Sequence, residues 1–163
     1  YQLKLYEELM EAGKEFNIKP FGGRALMSMR LEKNWGAWTL DYRPDFTAKE
    51  TGLDAFINWD KEFIGKESAQ KENSSNKLIP LIVETNDIDV TNNEAVMNGD
   101  QSIGYVTSGG FAHFVNKSVA FTFVDQDKIK SENKVQVEIN GDLFNCSIIK
   151  EPLYDPSGQK MRS

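Results

Sequence analysis

Two Asn-Gly pairs, Asn98-Gly99 and Asn140-Gly141, stand between runs of alternating apolar and polar residues and constrain the second half of this 163-residue chain more than any other feature. A type I′ turn needs positive φ at both central residues, and Asn-Gly adopts that conformation most readily, so each pair predicts a tight antiparallel hairpin. Around the second pair, Val135, Val137 and Ile139 alternate on one side and Phe144, Cys146 and Ile148 on the other. That pattern is a hairpin with one buried face. Strands over residues 78–84, 103–107 and 119–124 bring the number to at least five in about 75 residues, which favours a small barrel or sandwich. Pro80 lacks an N–H donor and argues for an edge or a bulge in the first of them.

The first half follows a different period. Leu5, Leu9, Ala12 and Phe16 recur at helical spacing, with Glu7, Glu8, Glu11 and Lys14 between them, so an amphipathic helix opens the chain. Gly22-Gly23 breaks it. Between Arg24 and Lys33 the apolar residues Ala25, Leu26, Met27, Met29 and Leu31 surround the axis, which predicts a largely buried helix. Residues 55–60 read as a strand and residues 63–71 as a short helix. Residues 71–77 read as a polar connector between two parts, 1–77 and 78–163. Charge divides at the same place: residues 1–77 hold 12 basic and 13 acidic side chains, residues 78–163 hold 7 and 12.

With 19 Lys and Arg against 25 Asp and Glu, the chain has no basic surplus with which to hold nucleic acid. No apolar run is long enough for a membrane-spanning helix, and the opening residues lack a secretion signal, so no membrane partner and a cytoplasmic setting are expected, or the mitochondrial matrix in a eukaryote. The Asn-X-Ser/Thr triplets at Asn73, Asn116 and Asn145 carry no weight without a secretory route. One cysteine and one histidine exclude an internal disulfide and a His/Cys zinc cluster. Cys146, on the face of Phe144 and Ile148, reads as a buried structural thiol. His113 lies between Phe111 and Phe114 with no nucleophile beside it and reads as a rim group. The stretch from Gly104 to Gly110 lacks the Lys-Ser/Thr of a phosphate loop, so Ser108-Gly109-Gly110 is expected to be a strand-ending turn.

The sharpest clue lies in the second helix. Arg24, Ser28 and Glu32 are spaced i, i+4, i+8 and form one stripe, with Arg30 pointing elsewhere. A guanidinium on an apolar helix either pairs internally, with Glu32 or a helix end, or presents its planar fork to a carboxylate or carbonyl of a ligand. The residues alone leave both readings open.

Five segments in register resemble the C-terminal half of the folate-binding aminomethyltransferase family, which includes the T-protein of the glycine cleavage system and the folate domains of dimethylglycine and sarcosine dehydrogenases. They are residues 5–13 (LYEELMEAG), 23–33 (GRALMSMRLEK), 63–67 (FIGKE), 104–110 (GYVTSGG) and 151–156 (EPLYDP). The run Arg30-Leu31-Glu32-Lys33 followed by Trp35-Gly36-Ala37-Trp38, with the Leu153-Tyr154-Asp155-Pro156 tail, resembles the dehydrogenase-linked branch. The resemblance implies an α+β chain: residues 1–77 as part of a central folate-binding domain, residues 78–163 as an antiparallel β-barrel. It implies one-carbon transfer from an N-methylglycine to tetrahydrofolate, forming methylenetetrahydrofolate, with any FAD confined to a separate upstream domain. Arg24 falls on a folate-touching arginine and Ala55 on a position of the folate wall that is often aromatic; the T-protein's aromatic C-terminal ending is not reproduced here, and Tyr154 stands as its counterpart. Glu32 is assigned to structure, as the partner of Arg24 or Arg30. The family's catalytic aspartate matches no position here. The chain is therefore expected to be a C-terminal fragment, inactive without its N-terminal half. The alternatives are the T-protein itself, acting on a lipoylated H-protein, and a non-catalytic docking module.

Overall fold

The computed structural model describes residues 1–85, 87–131, 134–160 and 162. Four helices, α1 (Gln2–Ala12), α2 (Gly23–Glu32), α3 (Ala48–Thr51) and α4 (Lys66–Lys71), precede six strands. These are β1 (Asn76–Val83), β2 (Ala95–Asn98), β3 (Gln101–Ala112), β4 (Lys117–Asp125), β5 (Val135–Ile139) and β6 (Asp142–Ile148). All pairings are antiparallel, in the order β1-β4-β3-β2-β5-β6, and the pairs Leu81–Ile148 to Val83–Cys146 close the barrel. The chain is thus α+β with a C-terminal barrel.

Strand alternation fills the barrel interior with Leu81, Val83, Val96, Val106, Ala120, Val124, Val137 and Ile139. β4 departs from it: residues 118–122 are all buried. Ala120 and Val124 face the interior. Val119 and Phe121 join Leu31, Ala112 and Ile149 in a second cluster outside the barrel wall. That outer cluster seats α2.

Local chemistry explains the turns. Asn140 and Gly141 sit at φ 53° and 92° between the paired residues Ile139 and Asp142, the type I′ pattern. The first Asn-Gly differs: Asn98 pairs with Gln101 inside the ladder, so Gly99 (φ 65°) and Asp100 are the central residues. Pro80 marks neither an edge nor a bulge. Its carbonyl accepts from Ile149 N at 2.9 Å just beyond the β6 ladder, and its missing N–H falls on that same vacated side.

Three further expectations are corrected. Ser108-Gly109-Gly110 lies inside β3 and ends nothing; glycine is needed at 109 because a Cβ would stand 2.6 Å from the Val90 carbonyl oxygen. Residues 55–60 form no strand. Asp54–Phe56 is a 3₁₀ turn, and a closed barrel offers no free edge to pair with. The second helix forms, but only Arg30, Leu31 and Glu32 are buried on it, while Leu26, Met27 and Met29 stay exposed. α1 forms with its apolar face open, and none of its residues is buried.

Candidate functional site

The stripe on α2 is a docking rail with one free end. Ser28 Oγ donates to the Phe111 carbonyl at 2.6 Å, and Phe114 N donates to Glu32 Oε1 at 2.5 Å, so two of its three residues fasten the helix to the β3–β4 hairpin. Glu32 therefore pairs with neither arginine; it satisfies a backbone donor. Arg24, one turn further back than Ser28, is exposed, and no group among the described residues bonds or pairs with it.

At the opposite end of α2 the C-terminal tail is strapped on. Tyr154 N donates to the Glu32 carbonyl at 3.0 Å, and Lys33 Nζ donates to the Asp155 carbonyl at 2.7 Å. The Tyr154 ring meets Phe114 edge-on at 4.7 Å, with the Lys160 ammonium 4.8 Å from its centre. Burial raises the Asp155 carboxyl, but bonds from the Lys160 and Gln159 amides and the charge of Lys33 outweigh it and hold it below the ordinary value. Eight residues separate Arg24 from Glu32, about 12 Å along the axis. Arg24 and Tyr154 therefore mark opposite ends of the helix. Ala55 is exposed in its 3₁₀ turn, beside an exposed Phe56.

Sequence reasoning missed the most buried charge. Asp41, fully enclosed, accepts from Arg30 Nη1 at 2.6 Å and Ala37 N at 2.7 Å through Oδ2, and from Thr107 Oγ1 at 2.5 Å and Ser108 Oγ at 2.6 Å through Oδ1. Successive strand residues ordinarily point to opposite faces, yet Thr107 and Ser108 reach the same oxygen. The register shift between Val106 and Ser108 makes this possible, because Thr107 is the extra residue of a β-bulge. The ion pair thus ties α2, the 37–42 loop and the barrel together. The only signal in the sequence was an arginine on an apolar helix in need of a partner.

Elsewhere the site chemistry is quiet. Thr47 and Glu50 form a reciprocal capping box on α3, and Ser74 Oγ adds a bond to Glu50 at 2.6 Å. Burial raises Glu50, but these bonds and nearby Lys77 bring its carboxyl below the usual value. Burial pushes the Cys146 thiol up to about 12, consistent with an inert structural residue. His113 is exposed on the turn after β3, its ring 5.1 Å from Phe111. Among the described residues no group of three or more His, Cys, Asp or Glu could hold a metal ion, and no helix is long and apolar enough to cross a membrane.

With this geometry in view, two family models match the chain: the GCVT N-terminal domain over residues 1–61 and the glycine cleavage T-protein C-terminal barrel domain over residues 76–155. Mouse mitochondrial dimethylglycine dehydrogenase is 36% identical over 154 residues, covering 91% of this chain and 18% of that protein. An aminomethyltransferase of Pseudothermotoga lettingae is 32% identical over 152 residues, covering 92% of this chain and 42% of that protein. The chain thus spans less than half the length of either relative. The crystal structure of glycine cleavage system aminomethyltransferase T from Bartonella henselae superposes with a TM-score of 0.78 at 24% identity, covering 94% of this chain and 44% of that one, and so shares the fold.

Proposed function

Because this chain belongs to the glycine cleavage T-protein family, we propose that it is the C-terminal part of a tetrahydrofolate-dependent one-carbon transfer enzyme of the sarcosine or dimethylglycine dehydrogenase type, forming methylenetetrahydrofolate from the carbon of an N-methylglycine. The observation that carries this reading is Arg24: an exposed guanidinium, unpaired among the described residues, on a helix fixed at its other end to the barrel. Such a fork fits the carbonyl and carboxylate oxygens of a p-aminobenzoyl-glutamate tail. Bound tetrahydrofolate supplies the nitrogen that captures the one-carbon unit.

This chain's residues then have separable tasks. Arg24 binds and orients the tail. Ala55 leaves open a wall that an aromatic residue would otherwise fill, and Tyr154, held by Phe114, closes the far end of the helix. Residues 1–77 act as part of the folate domain and residues 78–163 as the barrel that holds α2 in place. The N-terminal half of the same protein supplies the catalytic carboxylate and covers the apolar face left by Leu3, Leu5, Tyr6 and Leu9, each more than half exposed. Any FAD belongs to a separate upstream domain. The greater identity to dimethylglycine dehydrogenase, over nearly the same share of this chain, supports the dehydrogenase branch over a T-protein served by a lipoylated H-protein.

Arg24→Ala in the full-length protein tests the assignment. Folate affinity is expected to fall about tenfold or more, the worth of one charge-assisted contact, with the melting temperature unchanged. Unchanged affinity and turnover with a lowered melting temperature would instead identify a structural arginine in a docking module.

A further inference from the structure

The two Asn-Gly pairs are alike in sequence, each followed by Asp, and the fold makes them chemically different. Asparagine is a thermolabile residue, and the Asn-Gly bond rearranges without an enzyme. The backbone nitrogen of the glycine attacks Cγ of the asparagine side chain, and the side-chain nitrogen leaves as ammonia. Water then opens the cyclic imide at either carbonyl, giving aspartate or isoaspartate. Glycine favours the step because it carries no side chain to hinder the closing ring and turns freely. The reaction therefore needs a side-chain amide that is not held, a glycine nitrogen not bonded elsewhere, and room for the backbone to swing.

Asn98 fails the first two conditions. It is 5% exposed, its Nδ2 donates to the Ser131 carbonyl at 2.7 Å, and its Oδ1 accepts from Lys130 N at 3.1 Å. Gly99 N donates to the Lys134 carbonyl at 3.4 Å. Pairing with Gln101 keeps Asn98 inside the ladder rather than at the tip. Asn140 is placed the other way. Ile139 and Asp142 form the last pair of the β5–β6 ladder, so Asn140 and Gly141 are the tip itself. Both are exposed, the Asn140 side chain makes no hydrogen bond among the described residues, and nothing lies within 4 Å of where a Gly141 Cβ would stand. We propose that Asn140 is a site of spontaneous deamidation in the folded protein, converting to aspartate and isoaspartate while Asn98 is protected. The position gives the reaction a structural consequence. Isoaspartate routes the backbone through the former side chain and lengthens it by a methylene, inside a two-residue turn whose geometry sets the β5–β6 register. β6 closes the barrel on β1 through the pairs Leu81–Ile148 to Val83–Cys146, so the lengthened turn loosens that closure.

Incubation of the whole chain at mildly alkaline pH, followed by peptide mass spectrometry and enzymatic methyl labelling of isoaspartate, tests this, with a parallel incubation in urea. In the folded chain Asn140 is expected to convert at least about tenfold faster than Asn98, because freeing the Asn98 side chain breaks two hydrogen bonds. In urea the two rates should converge, since the Asn-Gly-Asp sequence is the same at both places. Asn140→Asp carries the new charge without the longer backbone and is expected to keep the wild-type urea midpoint, whereas the purified isoaspartyl product unfolds at lower urea. Asn140 unchanged in the folded chain, Asn98 converting as fast as Asn140 there, or an isoaspartyl product as stable as wild type would overturn the proposal.

Discussion

Replacing Asp41 by alanine perturbs the one ion pair among the described residues in which both partners are enclosed, the Arg30 side chain being 7% exposed and that of Asp41 0%. The substitution removes the acceptor of four hydrogen bonds and strands a guanidinium where water does not reach. Removing one partner of such a pair costs about 3–5 kcal/mol, dominated by the uncompensated charge. For a domain whose total stability is about 5–15 kcal/mol, that is a large fraction. With a urea slope of about 2 kcal/mol/M, the unfolding midpoint is expected to fall by about 2 M. Because the pair joins α2 to the barrel, hydrogen exchange in the last turn of α2 should accelerate before that of β1 and β4. The double variant Arg30→Met with Asp41→Leu removes both charges together and should recover most of the loss, which a double-mutant cycle reads as coupling between the two residues. A midpoint shift below about 0.5 M for Asp41→Ala, or additive losses in the double variant, would refute the reasoning.

Cys146, with its thiol pushed up to about 12 by burial, is expected to resist thiol reagents in the native state at neutral pH and react fully in urea; native labelling at the denatured rate would contradict its placement. Glu50 and Asp155 both titrate below their ordinary values when folded, so their contributions are complete above the unfolded carboxylate pKa values and disappear as pH falls through the lower folded ones. Urea midpoints should therefore drop on acidification through that window, and Glu50→Gln should flatten the slope; a slope equal to wild type would exclude Glu50 as a source. Gly109→Ala forces a methyl group against Val90 and should cost about 1–3 kcal/mol in thermal or urea unfolding.

The barrel was legible because period-two alternation and Asn-Gly turns act locally, and β5 and β6 follow them residue for residue. The two-sided burial of β4 had its trace in the nearly continuous apolar run Val119–Val124, interrupted only by Thr122, which leaves no polar face for solvent. What could not be read was tertiary. Arg30 finds its carboxylate eleven residues on, across an irregular loop, and the bulge that turns Thr107 and Ser108 toward it leaves no periodic mark. Glu32 was an unsuitable partner for Arg30 from the outset, since helix positions i and i+2 do not face each other. The apolar surround of α2 implied burial on most sides, but within this chain only Arg30, Leu31 and Glu32, in its last turn, are buried. Arg24 was singled out as part of a stripe, and the structure shows why its neighbours differ from it: Ser28 and Glu32 are consumed in docking to the β3–β4 hairpin.

The central claim is that this chain holds one end of a folate site and that an upstream segment holds the other. Calorimetric titration with tetrahydrofolate, run in parallel on residues 1–163 and on a longer polypeptide that restores the N-terminal half, tests it most directly. Tight binding by the longer protein alone is expected. Equal affinity in both, or no binding by either, would contradict it.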